Sequence, residues 1–107
     1  MSFNFVVWSW AEDYDTGAKR RKQKLKYGDV MAAFSESESH PAMNTYDFTD
    51  LIADVESRVG PATDGEPYIL ERYPCAVVYN IANSRVIEVV DKIHKIARKH
   101  GLTSAEC

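Results

Sequence analysis

The sequence predicts a single α+β domain, and three features carry that prediction. The opening run FNFVVWSW, residues 3–10, is dense in aromatic and β-branched side chains and reads as a strand. Two further apolar pieces, PYILERY and CAVVYNI, read as a strand pair divided near Pro74. The stretch from Ser84 to His100, SRVIEVVDKIHKIARKH, instead repeats its apolar positions at helical spacing. With 107 residues, 45% of them hydrophobic and 27% charged, the chain can fill and cover one core, so residues 1–107 are expected to form one domain.

In chain order, the first strand places Phe3, Phe5 and Val7 on one face and Val6, Trp8 and Trp10 on the other. Apolar on both sides, it is expected at the centre of a sheet. AEDYDTG breaks the pattern, and Lys19 to Lys26, KRRKQKLK, follows with six bases in eight residues. A nucleic-acid patch calls for interleaved aromatics or a nucleic-acid fold signature; this run has neither, so it reads as a solvated helix start and no direct nucleic-acid contact is expected. Gly28 interrupts the run and Asp29 can cap a fresh turn, giving a short helix over residues 28–36 with Val30, Met31, Ala33 and Phe34 inward. After the loop SESESHPAMN, Asn44 or Thr45 is expected to open a second helix running to about Val59. Its core stripe is Phe48, Leu51, Ile52, Val55 and Val59, and Gly60 with Pro61 closes it.

ATDGEP, residues 62–67, is a turn-rich connector. In the strand after Pro74, Val77, Tyr79 and Ile81 alternate with Ala76, Val78 and Asn80. The last helix gathers Val86, Val89, Val90, Ile93, Ile96, Ala97 and His100 on one face and Glu88, Lys92, Lys95 and Lys99 on the other. Asn83 or Ser84 can cap its start, basic residues complement its end, and Gly101 supplies a left-handed stop. Leu102 to Glu106 can add a short strand. Strand, short helix, helix, strand, strand, helix, strand is the split βαβ order of a ferredoxin-like sandwich, a βαββαβ core with an extra short helix near the N-terminus. Two helices then cover one sheet face, and the other, carrying Trp8 or Trp10, is expected to be open and fit for a dimer or partner.

The net charge of −3 is unevenly spread. Residues 27–71 hold ten acids against Arg58 alone, while the segments on either side are each +3. Such a block attracts basic partners. No apolar run approaches the roughly 20 residues of a spanning helix, and the start lacks a secretory pattern, so the expectation is a cytoplasmic protein with no membrane contact. Cys75 and Cys107 have neither scaffold nor metal-ligand spacing and read as free thiols. No phosphate loop, dinucleotide fingerprint, nucleophile elbow or EF-hand is present. His94 and His100 fall on different helix faces, so no two-histidine metal site is expected, and neither a metal nor another cofactor is implied. His40 beside an acid is a weak general-base candidate, as are Asp13 and Asp15 as a carboxylate pair.

In layout the chain resembles the small cytoplasmic immunity proteins that accompany bacterial polymorphic toxins, including those of contact-dependent and type VI delivery. The resemblance rests on an apolar strand ending in tryptophan, FNFVVWSW, and on YDFTDLIADV, a helix with a Phe and acids. It rests also on the helix stop IARKHGLT and on Pro67 with Tyr68. It implies a non-enzymatic protein that binds a cognate toxin domain and occludes its active site. An acidic inhibitor suits a basic toxin that cleaves nucleic acid. The expected interface is the helix face with Asp47, Asp50 and Asp54, at i, i+3 and i+7, together with Tyr46, Glu36 and Glu38 nearby and Trp8 and Trp10 next in line. The alternative is a ferredoxin-like homodimer that binds a small ligand or serves regulation.

Overall fold

The structure, a computed structural model, describes residues 2–60, 68–82 and 86–106, without the side chains of Ser2 and Phe3. Expectations placed on residues 61–67, on a cap at Asn83 or Ser84, on the side chain of Phe3 and on Cys107 fall outside the described residues. The first strand, β1 (Ser2–Trp10), is central, as its two apolar faces require. The 3-10 turn Glu12–Tyr14 and the helices α1 (Gly17–Lys22) and α2 (Tyr27–Ser37) follow, then β2 (Met43–Asn44) and α3 (Thr49–Val59). The chain ends with β3 (Tyr68–Tyr73), β4 (Ala76–Ala82), α4 (Val86–Lys99) and β5 (Thr103–Glu106). All pairings are antiparallel. The sheet order is β2-β1-β4-β3, and β5 pairs with β1 along the edge that β2 also uses.

Strand alternation sorts side chains into two cores, one on each sheet face. Phe5, Val7, Tyr68, Val77, Tyr79 and Ile81 meet Leu51 and Val55 of α3 and Val89, Ile93, Ile96 and Ala97 of α4. On the opposite face Val6, Trp8, Ala76 and Val78 meet Val30, Met31 and Phe34 of α2. This overturns the expectation of an open face. The short helix carries enough apolar surface to be worth burying, about 1.5–3 kcal/mol for each large side chain, so it docks instead of trailing in solvent. Trp8 is fully buried as a result and cannot serve as a free contact residue.

Three boundaries also differ from expectation. α1 breaks before Gly28: Lys24 adopts a left-handed backbone, φ 55°, which turns the chain so that Leu25 packs into the second core, and Gly28 lies inside α2. Lys26, not Asp29, stands at the N-cap of α2. α3 starts at Thr49, not Asn44, because Asn44 pairs with Ser9 in the short strand β2 and Asp47 holds the helix entry. Gly101, with φ 73°, ends α4 as expected.

No helix among the described residues is long and apolar enough to cross a membrane.

Candidate functional site

α2 crosses the strands on the second sheet face. Its first residue, Tyr27, lies over the Trp8–Trp10 end of β1, and Phe34 meets Tyr73 of β3 edge-on at 5.3 Å. Beyond the helix a polar strip of sheet remains, and there the chain forms a groove of about 230 Å³. Its floor is Val6 and Val78, its strand wall carries Asn4, Asn80, Glu71 and Tyr73, and its helix wall carries Ser35 and Glu38. The Tyr73 hydroxyl donates to Glu71 Oε2 at 2.9 Å. That bond, followed by partial desolvation, raises the phenol above its ordinary range, so it stays a donor. Among the described residues no basic side chain lines the groove. Two carboxylates and two carboxamides over an apolar floor can take the stem and charged head of a lysine or arginine.

The turn between β3 and β4 joins this groove to the start of α3. Cys75 Sγ lies 3.4 Å from the Glu38 carbonyl, to which it donates, and the Tyr46 N–H donates to the Pro74 carbonyl at 3.2 Å. Tyr46 also meets Phe48 edge-on at 4.9 Å. Asp47 Oδ1 accepts from the Thr49 N–H at 3.0 Å and from the Thr49 hydroxyl at 2.6 Å. Those two bonds, with Arg72 nearby, hold its carboxyl below the usual carboxylate range. Burial raises the Cys75 thiol, which suits an inert core residue.

The expected interface residues are thus only partly gathered. Glu38, Tyr46 and Asp47 surround the β3–β4 turn, with Glu36 exposed on the last turn of α2 and Asp50 exposed on the first turn of α3. Asp47 lies outside the helix, so the three aspartates do not form one helix face. Asp54 faces inward to the neighbouring helix: it accepts from Arg58 Nε at 2.8 Å and sits 3.0 Å from His100 Nε2. The His100 contact first, then Arg58, lowers its carboxyl below the usual range. Asp54 therefore ties α3 to α4, a role its spacing in sequence did not disclose. Trp10 is half-buried at the far end of β1, in edge contact with Trp8 at 5.3 Å.

Glu71, Asn4 and Asn80 were not anticipated as site residues. Strand alternation places Glu71 on the face of Tyr73 and Asn80 on that of Val78, but their convergence under the end of α2 depends on where that helix lies. Of the histidines, Nδ1 of His40 accepts from the Ala42 N–H at 2.9 Å, and His94 Nδ1 lies 2.8 Å from the Ser104 hydroxyl. Of the acid pair Asp13 and Asp15, Asp15 is engaged with Lys19 at 3.0 Å. Among the described residues no group of three or more His, Cys, Asp or Glu side chains is placed to hold a metal ion.

A second groove, of about 250 Å³, lies between α3 and α4 and is lined by Arg58, Lys92, Lys95, Lys99 and Ile96. Arg58, Lys92 and Lys95 each pair with an acid four residues earlier. Such pairing marks an ordinary solvated helix surface. Compared with known proteins, the chain matches no family model, no curated protein and no solved structure.

Proposed function

We propose that this protein is a non-enzymatic immunity protein that binds a basic bacterial toxin domain and covers its active site. The observation that carries the reading is the groove with Glu38 and Glu71 on its walls, an apolar floor and no cation among the described residues of its lining. At the adjoining turn lie Tyr46 and Asp47, the latter with Arg72 beside it, and Asp50 and Glu36 are exposed at the start of α3 and the end of α2. A toxin that holds nucleic acid presents lysines and arginines at its substrate site, and an acidic, partly apolar groove competes for those side chains. The βαββαβ strand order supports a ferredoxin-like reading of the domain, modified by α2 on the second sheet face. The homodimer alternative was motivated by an open apolar sheet face, and α2 covers that face.

The test begins with the neighbouring reading frame. A large secreted protein with a variable toxic C-terminus supplies the domain to clone, whereas an isolated metabolic operon removes the basis of the proposal. The parent chain should restore growth to cells expressing that domain. A Glu38→Asn, Glu71→Gln variant should associate more slowly and with a weaker salt dependence, because exposed interfacial charges act mainly on encounter. Asparagine at position 38 respects the left-handed backbone there, φ 60°. Unchanged association kinetics at low salt would move the interface elsewhere.

A further inference from the structure

The basic run Lys19 to Lys26 lacks interleaved aromatics in sequence, yet the fold supplies them. Trp10 comes from β1 and Tyr27 from the start of α2, and their rings meet edge-on at 5.7 Å. The Arg20 guanidinium lies 4.7 Å from the Trp10 ring centre, and its Nη1 donates to the Tyr14 carbonyl at 2.8 Å, which pins α1 against the aromatic pair. Lys19 is also committed, to Asp15 and to the Glu12 carbonyl. Arg21, Lys22, Lys24 and Lys26 are different: all four are exposed, and none forms an ion pair among the described residues. Tyr27 adjoins them with 46% of its surface exposed, although its ring also leans on Trp8 at 6.1 Å. Four acids temper the strip: Asp13, which shares a pocket with Lys22, Glu12 and Asp15 near Lys19, and Asp29 two residues beyond Tyr27.

We propose that this strip, the cations of residues 21–26 with the Tyr27 ring beside them, binds single-stranded nucleic acid. Cations take the phosphates, and the exposed aromatic face takes one unpaired base. A duplex offers phosphates but no free base face, and the six-residue α1 is too short to read a major groove, so the chemistry selects single strands. The strip lies at the opposite end of α2 from the acidic groove, so binding here is separable from the proposed toxin contact.

The test is a fluorescence titration of the full chain with an oligothymidylate of about 12 nucleotides, within single-strand site sizes. Trp10, in edge contact with Tyr27, is the half-buried one of the two tryptophans and reports occupancy of the ring. Four phosphate contacts give a log–log salt slope of about −2.8, or roughly fifty-fold weaker binding between about 50 and about 200 mM salt. The Lys24→Asn, Lys26→Gln variant should reduce that slope by about 1.4. Asparagine again suits the left-handed position, and Lys22→Gln provides an independent change on the exposed surface that should reduce the slope by about 0.7. Tyr27→Leu, which keeps an apolar contact on Trp8, should weaken binding at least about fivefold at fixed salt. Thermal melts confirm that each variant is folded. No fluorescence change at about 50 mM salt, equal affinity for a blunt duplex, or undiminished affinity of Tyr27→Leu each overturns the proposal.

Discussion

Replacing Tyr79 by phenylalanine is expected to stabilise this protein, against the usual direction of core substitutions. Tyr79 is fully buried in β4, and its hydroxyl has no hydrogen-bond partner among the described residues. Burial also pushes its phenol far above the ordinary range, so ionisation in the folded state is suppressed. An unpaired buried hydroxyl costs about 1–3 kcal/mol in proteins, while deleting one oxygen forfeits few contacts. The gain should be about 1–2 kcal/mol, which in a domain near this size raises Tm by roughly 5–10 °C. Tyr68 provides the contrasting control. Its ring meets Tyr79 edge-on at 5.0 Å, but its hydroxyl donates to the Gly60 carbonyl at 3.2 Å, so Tyr68→Phe should lose about 0.5–1.5 kcal/mol. The pH dependence sharpens the test. A phenol raised in the folded state contributes full stability below the unfolded value of about 10 and loses it as pH climbs beyond. Tyr79→Phe should therefore soften the alkaline loss, although Tyr68, also raised by burial, keeps part of it. Thermal melts at neutral pH and above pH about 10 measure both effects. A lower Tm for Tyr79→Phe at neutral pH would mean the hydroxyl is hydrogen-bonded in the core, and the reasoning would fail.

Two further outcomes follow from the packing and the carboxylates. Phe34→Ala should cost about 3–5 kcal/mol in urea denaturation, because it removes the ring that α2 sets against Tyr73, and Trp8 emission should shift to the red as α2 loosens. Asp47 and Asp54 are held below the usual carboxylate range, so their contribution to stability is complete above the unfolded value of about 3.9 and disappears as pH falls through the folded ones. An acid titration of Asp54→Asn should show a shallower loss below about pH 4 than the parent; an identical acid limb would contradict the Asp54–His100 link.

What could be read in the sequence was what short-range periodicity encodes. The alternation of Val77, Tyr79 and Ile81 with Ala76, Val78 and Asn80 and the apolar stripe of α4 both appear in the structure, because each residue's face follows from local geometry. The start of α3 was misplaced because Asn44 and Thr45 are good caps in isolation, and only pairing with Ser9 on a distant strand takes Asn44 out of the helix. The break at Lys24 was invisible for a related reason. A left-handed lysine is unfavourable locally and persists because Leu25 reaches the second core. By spacing Asp54 shares a helix face with Asp47 and Asp50, and the histidine that occupies it lies 46 positions away.

The placement of α2 decides both proposed surfaces. On one sheet face the rows run from Trp8 with Ala76, through Val6 with Val78, to Asn4 with Asn80. The first two rows are apolar and belong under a helix; the third is polar and does not. α2 brings only Val30, Met31 and Phe34 as buried cover. The helix runs from Trp8 on β1 to Tyr73 on β3, residues that share one row with Ala76, so it crosses the strands and Ser35 and Glu38 wall the polar row beside it. At its other end the same helix must begin beside Trp10, which carries the preceding basic segment and Tyr27 to that edge. The separation of a groove for cations from a strip for anions thus follows from where one helix crosses the sheet.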